Sequence, residues 1–130
     1  DTWRWTPFVV LTATAALRHF WSDDKFSRDI NRCGTLLKQG LQHIAGAHGL
    51  TTCGRGMMRG INLGSGELAQ AVTAACFERG LIIETSGPHD EIVKVLAPLV
   101  IEDAQLQAAL DILEESICQV LTAHYSMAAE

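Results

Sequence analysis

The fold is decided by three consecutive segments, Leu81-Ile-Ile-Glu84, Ser86-Gly-Pro-His-Asp90 and Glu91-Ile-Val-Lys-Val-Leu96. The two outer segments are apolar and rich in β-branched residues, which favour strands. The middle segment combines Ser, Gly, Pro and Asp, the residues that tight turns use most. Strands over residues 81–84 and 91–96 are therefore predicted, joined as a β-hairpin.

The segments on either side of this hairpin predict helices. Before it, Gly64-Ser-Gly66 leads into a helix over Glu67–Arg79, which Gly80 ends. After it, a helix runs from Glu102 to about Ala123, and the acidic residues of its first turn favour the positive end of the helix dipole. The hairpin is therefore expected to lie between two helices in the chain.

Two further helices are predicted near the start of the chain. The first runs from about Pro7 to Phe20, since proline suits the first turn of a helix. The second begins near Trp21-Ser-Asp-Asp24 and ends at Gly46 and Gly49. Its apolar residues recur at spacings of 4, 3, 4, 4 and 3, which places them on one helix face: Phe26, Ile30, Cys33, Leu37, Leu41 and Ile44.

The segment Leu50–Leu63 is rich in glycine and has the short period of a strand. We expect one strand here, or two strands separated by a bend at Gly54-Arg-Gly56. The glycines match neither the dinucleotide-binding nor the P-loop pattern, so strand bends and a helix-entry turn are favoured over a phosphate cradle. The order α-α-β(β)-α-β-β-α predicts an α+β fold, with a small, mostly antiparallel sheet covered by helices on one side.

The composition is that of an acidic globular protein. The chain has 130 residues, a formal net charge of -5 and 48% hydrophobic residues, so a single domain over residues 1–130 is expected. The acidic balance argues against nucleic-acid binding, which uses a basic surface. No apolar run reaches the ~20 residues that cross a bilayer, and the first residues lack a secretory signal pattern. We expect a cytoplasmic protein with no nucleic-acid or membrane partner.

The cysteines and histidines predict neither a metal site nor a redox centre. Cys33, Cys53, Cys76 and Cys118 include no C-x2-C pair, and all except Cys53 fall in apolar helical stretches that suit buried, reduced thiols. The five histidines have no partner at metal-ligand spacing. Nothing resembles a nucleophile elbow either. We therefore assign no metal ligand and no catalytic residue.

Lys94 and two tryptophans are the residues with the most unusual placement. By strand alternation Lys94 shares a face with Ile92 and Leu96, and a cation there is costly unless it is paired or reaches the edge. It is either a functional cation or an edge-strand lysine that discourages aggregation. Trp3 and Trp5 indicate either contact with a partner or packing on the same domain. For Lys94 and for the two tryptophans, both interpretations stay open.

Three blocks of sequence carry a family resemblance: Arg55-Gly-Met-Met-Arg-Gly-Ile61, Phe77-Glu-Arg-Gly-Leu-Ile-Ile-Glu-Thr-Ser-Gly87 and Val93-Lys-Val-Leu-Ala-Pro-Leu-Val-Ile101. In this order they resemble the C-terminal small domain of class III pyridoxal-phosphate aminotransferases. The nearest branch is that of the diaminobutyrate–2-oxoglutarate aminotransferases. Thr2-Trp-Arg4 is similar to a Thr-Phe-Arg segment of the family, so the resemblance extends over almost the whole chain. It implies that the small sheet is part of an α/β aminotransferase fold.

The resemblance implies roles for two residues. Thr2 corresponds to a threonine that, in these dimers, hydrogen-bonds the cofactor phosphate of the neighbouring subunit. Lys94 corresponds to the position where many relatives have an arginine that binds a substrate carboxylate, and lysine lacks the bidentate fork of arginine. The chain departs from the family where Trp5-Thr6 replaces Gly-Asn and where Ala97 replaces the first residue of a Pro-Pro pair.

The resemblance also implies what this chain lacks. The Schiff-base lysine and the other cofactor-holding groups belong to a large domain, which we expect to be absent from these 130 residues. The first hypothesis is a fragment or remnant of a class III aminotransferase that closes the active site of the complete enzyme. The alternative is a non-catalytic, self-associating interaction module with the same fold.

Both hypotheses lead to expectations about partners and cofactor. A homodimer or higher oligomer is predicted, with a chain that carries the large domain as a further partner. Pyridoxal phosphate is the cofactor of the complete family enzyme. We expect this chain alone neither to bind it tightly nor to catalyse amino transfer.

Overall fold

Within residues 6–127, which a computed structural model describes, the chain folds into four helices and four strands. Thr2, Trp3 and Trp5, and the roles predicted for them, lie outside the described residues. The predicted order is present, and the glycine-rich segment forms two strands. The elements are α1 (Thr6–Phe20), α2 (Lys25–Ala47), β1 (Thr51–Arg55), β2 (Met58–Asn62), α3 (Gly66–Glu78), β3 (Glu84–Ser86), β4 (Ile92–Leu96) and α4 (Asp103–Met127).

The four strands form one antiparallel sheet in the order β1-β2-β4-β3. β1 and β2 form a hairpin in which Arg55 pairs with Met58, and Gly56 in the turn has a φ of 56°. Glycine adopts this positive angle without steric cost. β2 pairs with β4, and β4 pairs with β3, so the predicted second hairpin is also present. These pairings confirm the α+β class and the antiparallel sheet.

The first strand of the second hairpin lies further along the chain than predicted. The apolar segment Leu81–Ile83 is not a strand, and β3 begins at Glu84. At the end of α3 the Leu81 amide donates a hydrogen bond to the Cys76 carbonyl at 2.9 Å. The Leu81 amide therefore completes the helix C-terminus and is not available to the strand ladder. The predicted boundaries of this strand are wrong, while the hairpin itself is confirmed.

The two faces of the sheet have different surroundings. Ile61 of β2 and Val93 of β4 pair directly and are fully buried on the face against which α2 and α3 pack. α4 in turn packs on α2 and α3. On the opposite face Met58 and Leu96 pair and are exposed. The helices therefore cover one face of the sheet, as predicted, and Lys94 belongs to the other face.

The helices differ in what they contribute to the core. The predicted apolar face of α2 is confirmed, because its residues from Cys33 to Ile44 at these spacings are buried, with Ile30 partly buried. α1 contributes no buried residue. The buried apolar residues outside α2 are Met57, Ile61, Leu63, Ala69, Val72, Ala75, Cys76, Val93, Leu106, Leu110, Leu113, Ile117 and Leu121.

An ion pair links α2 to the beginning of α4. Arg32 Nη1 donates a hydrogen bond to Asp103 Oδ2 at 2.6 Å, and both side chains are about half exposed. This hydrogen bond, more than the accompanying charge attraction, lowers the pKa of Asp103 below its ordinary value. The link between the two helices therefore depends on the ionised form of Asp103.

The four cysteines are free thiols, as predicted, but they are not all in the places expected. Cys33 and Cys76 are buried, and burial raises the pKa of the Cys76 thiol. Cys118 is exposed, so its predicted burial is wrong. Successive helical residues point about 100° apart, so Cys118 turns away from the core that its neighbour Ile117 enters.

Candidate functional site

Lys94 lies in the middle of β4, on the sheet face predicted for it. The strand alternation places it with Ile92 and Leu96, opposite to the fully buried Val93. Its side chain is 27% exposed, so most of the aliphatic stem is covered. Its Nζ lies 3.1 Å from Oε2 of Glu84, the residue directly opposite on β3. The ammonium is therefore held at a defined position on the open face of the sheet.

A groove of about 380 Å³ lies beside Lys94, between the β3–β4 end of the sheet and α4. It is mostly apolar, and Glu84 and Lys94 are the ionisable residues among the residues described around it. Leu37 and the α4 residues of this groove lie on the helix-covered side of the sheet, whereas the Lys94 side chain lies on the open face. The groove is lined by Leu37, Leu81, Ile82, Ile83, Glu84, Lys94, Val95, Leu96, Ala97, Pro98, Ile101, Leu106, Ala109, Leu110 and Leu113.

The rest of the described chain offers no competing metal or membrane site. Among residues 6–127, no three His, Cys, Asp or Glu side chains converge as metal ligands would. In the same part of the chain, no helix combines the length and apolar character needed to span a bilayer. The glycines singled out in the sequence form strand bends and a helix entry, where Ser65 caps α3 by accepting a hydrogen bond from the Leu68 amide.

Glu84 is the site residue that sequence reasoning missed. It stands in the predicted hairpin, but it was assigned to the end of the first strand, with no partner. Its pairing with Lys94 depends on the register of β3 against β4, in which Glu84 lies directly opposite Lys94. A charge complementary to Lys94 in the facing strand was the available signal, because opposite charges directly across a ladder attract each other.

The comparison with known families agrees with the sequence resemblance. The family model described as aminotransferase class-III matches residues 1–117. The match includes all four strands, α1 to α3, Lys94 and Glu84. The chain therefore belongs to the class III aminotransferase family.

Individual relatives indicate which type of class III aminotransferase the chain is similar to. The chain is 44% identical over 126 residues to the diaminobutyrate–2-oxoglutarate transaminase of Halomonas elongata, an alignment that covers 93% of this chain and 30% of the relative. It is 38% identical to the enzyme of the same description from Bordetella parapertussis, over 93% of this chain and 29% of that one. The chain thus spans about 30% of the length of these relatives and aligns with the diaminobutyrate transaminase type.

Solved structures show the same fold. A transaminase from a study of directed evolution by ancestral reconstruction superposes with a TM-score of 0.73. The superposition covers 87% of this chain and 26% of that one, with 23% sequence identity. The four-stranded antiparallel sheet with its helices is therefore an aminotransferase fold unit.

The groove alone does not fit the cofactor of the family. Class III aminotransferases depend on pyridoxal phosphate and are generally homodimers. A bound phosphate needs several converging donors, such as hydroxyls, backbone amides or an arginine. The residues described around the groove include no Ser, Thr or Arg, and its one lysine is already paired with Glu84. The residues described around the groove therefore form no phosphate site, and Lys94 offers an anion a single cationic contact.

Proposed function

We propose that this chain acts as the C-terminal small domain of a diaminobutyrate–2-oxoglutarate type aminotransferase, where it closes one side of the active site. The observation that carries the proposal is the position of Lys94, a partly covered ammonium in the middle of β4 on the open face of the sheet, in a chain of this family. In this proposal residues 1–130 are one domain and work with a large domain that holds the cofactor.

Lys94 binds a substrate carboxylate in this proposal. An ammonium is a point charge with three rotatable donors, so it holds a carboxylate without the fixed bidentate geometry of arginine. It orients the substrate and takes no part in bond breaking. The cofactor supplies the electron sink for amino transfer when it is bound in the complete enzyme.

Thr2 donates a hydrogen bond to the cofactor phosphate of the neighbouring subunit in this proposal. The support is the similarity of Thr2-Trp-Arg4 to the family segment and the match of the family model from residue 1. Such a contact requires a homodimer, which is the general state of the family. A cytoplasmic location is also proposed, since the four cysteines are free thiols.

A chimera tests this function directly. Residues 1–130 would replace the corresponding C-terminal part of the Halomonas elongata transaminase, and glutamate formation from diaminobutyrate and 2-oxoglutarate would be measured. We expect an active chimera in which Lys94→Met raises the KM for 2-oxoglutarate about tenfold or more, because a hydrogen bond to a charged group is lost. Lys38→Met is the matched control, since Lys38 is an exposed lysine of α2, away from the groove. An unchanged KM in the Lys94→Met chimera would contradict the proposed role of Lys94.

The isolated chain provides a second test. We expect it to form only weak imines with added pyridoxal phosphate and to transfer no amino group, because any exposed lysine reacts with the free aldehyde. Glutamate formation above the cofactor-only background, abolished by changing one lysine, would contradict this expectation.

A second candidate function is a self-associating interaction module without catalysis. The exposed apolar residues of α1 favour it, because exposed apolar patches mark interaction surfaces. The chimera distinguishes the two candidates. An inactive chimera that folds and associates would support the module, whereas an active one supports the small-domain function.

A further inference from the structure

The two side chains of the Lys94–Glu84 ion pair differ in their exposure and in the position of their strands in the sheet. Lys94 is 27% exposed and sits in β4, which is bordered by strands on both sides, whereas Glu84 is 72% exposed and begins the three-residue edge strand β3. The lysine stem is therefore held in place, while the carboxylate can leave by rotating its side chain into solvent. The two charges separate at little structural cost.

Glu84 occupies the place that an incoming carboxylate needs. Its Oε2 lies 3.1 Å from Lys94 Nζ, which is the distance of a charge-assisted hydrogen bond. Within residues 6–127, Glu84 is the carboxylate that pairs with Lys94, and it also borders the groove. A ligand carboxylate that reaches Lys94 therefore competes with Glu84 for the same donor.

We propose that Glu84 is a built-in competitor that lowers the affinity of Lys94 for carboxylate ligands. This inference rests on the proposed function of Lys94 and adds a residue that controls it. Glu84 is a positioning residue, since it acts through the ammonium and does not contact the reacting atoms. A carboxylate ligand displaces it, and the Glu84 side chain then turns to solvent.

The size of the effect follows from the kind of interaction. Facing opposite charges in a sheet stabilise each other only weakly, and exposed pairs are weaker still. Removing the competing charge should therefore tighten carboxylate binding about two- to fivefold. Glu84→Gln removes the charge with little change of shape. Glu84→Asp keeps the charge on a side chain one methylene shorter and should tighten binding less than Glu84→Gln does.

The experiment uses the 130-residue chain and glutarate as the probe. The Lys94 Cε and Glu84 Cδ chemical shifts would be followed by NMR during a glutarate titration of the wild type, Glu84→Gln, Glu84→Asp and Lys94→Met. Glu115→Gln is the matched control, because Glu115 is also 72% exposed and pairs with a cation, Arg79, at 3.8 Å. Thermal unfolding of each variant would be measured in parallel to separate binding from folding.

We expect glutarate to change the Lys94 Cε chemical shift in the wild type. The Kd for glutarate should be about two- to fivefold lower in Glu84→Gln and unchanged in Glu115→Gln. At saturating glutarate, the Glu84 Cδ chemical shift should approach the value that it has in Lys94→Met. A response at Lys94 only after Glu84→Gln would support the same inference in a stronger form. Equal Kd values in the wild type and Glu84→Gln would overturn it and leave the carboxylate site at Lys94 intact. No response of Lys94 in the wild type or in either Glu84 variant would overturn the inference, whereas the chimera tests the proposed function separately.

Discussion

The first two helices of the chain show that apolar content and burial are different properties. α1 is the more apolar of the two, yet none of its residues is buried, and Val9, Val10, Leu11 and Leu17 are exposed. α2 alternates apolar and polar residues at helical spacing and buries one face from Cys33 to Ala45. A helix that is apolar all round requires cover on every side. α1 therefore presents a surface that the other described residues do not cover, while α2 is a core helix.

The largest expected effect comes from truncating one leucine in each helix. Leu37→Ala in α2 should destabilise the fold by about 2–5 kcal/mol, because it removes a fully buried side chain and leaves a cavity. Leu17→Ala in α1 should change the free energy of unfolding by less than about 0.5 kcal/mol, since Leu17 is exposed. Urea denaturation checks both values. A cost for Leu17→Ala as large as that for Leu37→Ala would break the comparison.

The next effect concerns association. We expect a dimer or higher oligomer in which α1 lies in the contact, because burying its exposed apolar residues is favourable. The double variant Val10→Gln/Leu17→Gln should weaken association by about tenfold or more. Leu36→Gln on the outer side of α2 is the control, since Leu36 is also partly exposed, and it should leave association unchanged. Sedimentation over a range of concentrations measures this, and a wild type that stays monomeric at high concentration would refute it.

A smaller effect depends on pH, because α2 is held to the fold by the Arg32–Asp103 ion pair as well as by its buried face. The bond from Arg32 lowers the pKa of Asp103, so its contribution to stability is present above the ordinary aspartate pKa of about 3.9 and is lost as the pH falls through the lowered folded-state pKa. Asp103→Asn should therefore be less stable than the wild type at pH 7, and the difference should disappear in strong acid.

The control for this pair is Asp111→Asn. Asp111 is an exposed aspartate of the same helix that accepts a hydrogen bond from Gln107 and has no ion pair with α2. Urea midpoints at neutral and acidic pH compare the two variants. If the stability difference between the wild type and Asp103→Asn were the same at both pH values, the ion pair would not be its source.

The smallest effect extends the comparison to the two faces of β4. Lys94→Met should leave the free energy of unfolding nearly unchanged, within about 1 kcal/mol, because a cross-strand ion pair with a largely exposed carboxylate contributes little and methionine suits its apolar neighbours. Thermal unfolding of Lys94→Met beside Glu84→Gln measures this. A marked loss of stability in Lys94→Met would show that Lys94 is a structural ion-pair partner.

Much of the fold could be predicted because its signals are local. The spacing of Ile30, Cys33 and Leu37 is a property of α2 alone, and burial confirms it. The turn residues around Pro88 likewise predicted a hairpin without knowledge of the rest of the chain. The family blocks added the type of enzyme fold, which the match over residues 1–117 confirms. The roles of Thr2 and Lys94 stay predictions.

Other features depend on contacts between distant segments. The exposure of Cys118 follows from the side of α4 that packs on α3, and a short apolar window around it does not reveal that side. The start of β3 at Glu84 depends on which residues pair with β4, a segment farther along the chain. Sequence periodicity does not include either of these contacts.

The sequence by itself determined the types and order of the elements, the buried face of α2 and the family, because helix periodicity, turn chemistry and sequence blocks are encoded by neighbouring residues. Only the tertiary structure decided that β4 lies between β2 and β3, that the ladder begins at Glu84 and that Glu84 faces Lys94. Strand order and register are set by hydrogen bonds and packing between segments far apart in the chain, and a shift of one residue would turn Lys94 to the opposite face of the sheet.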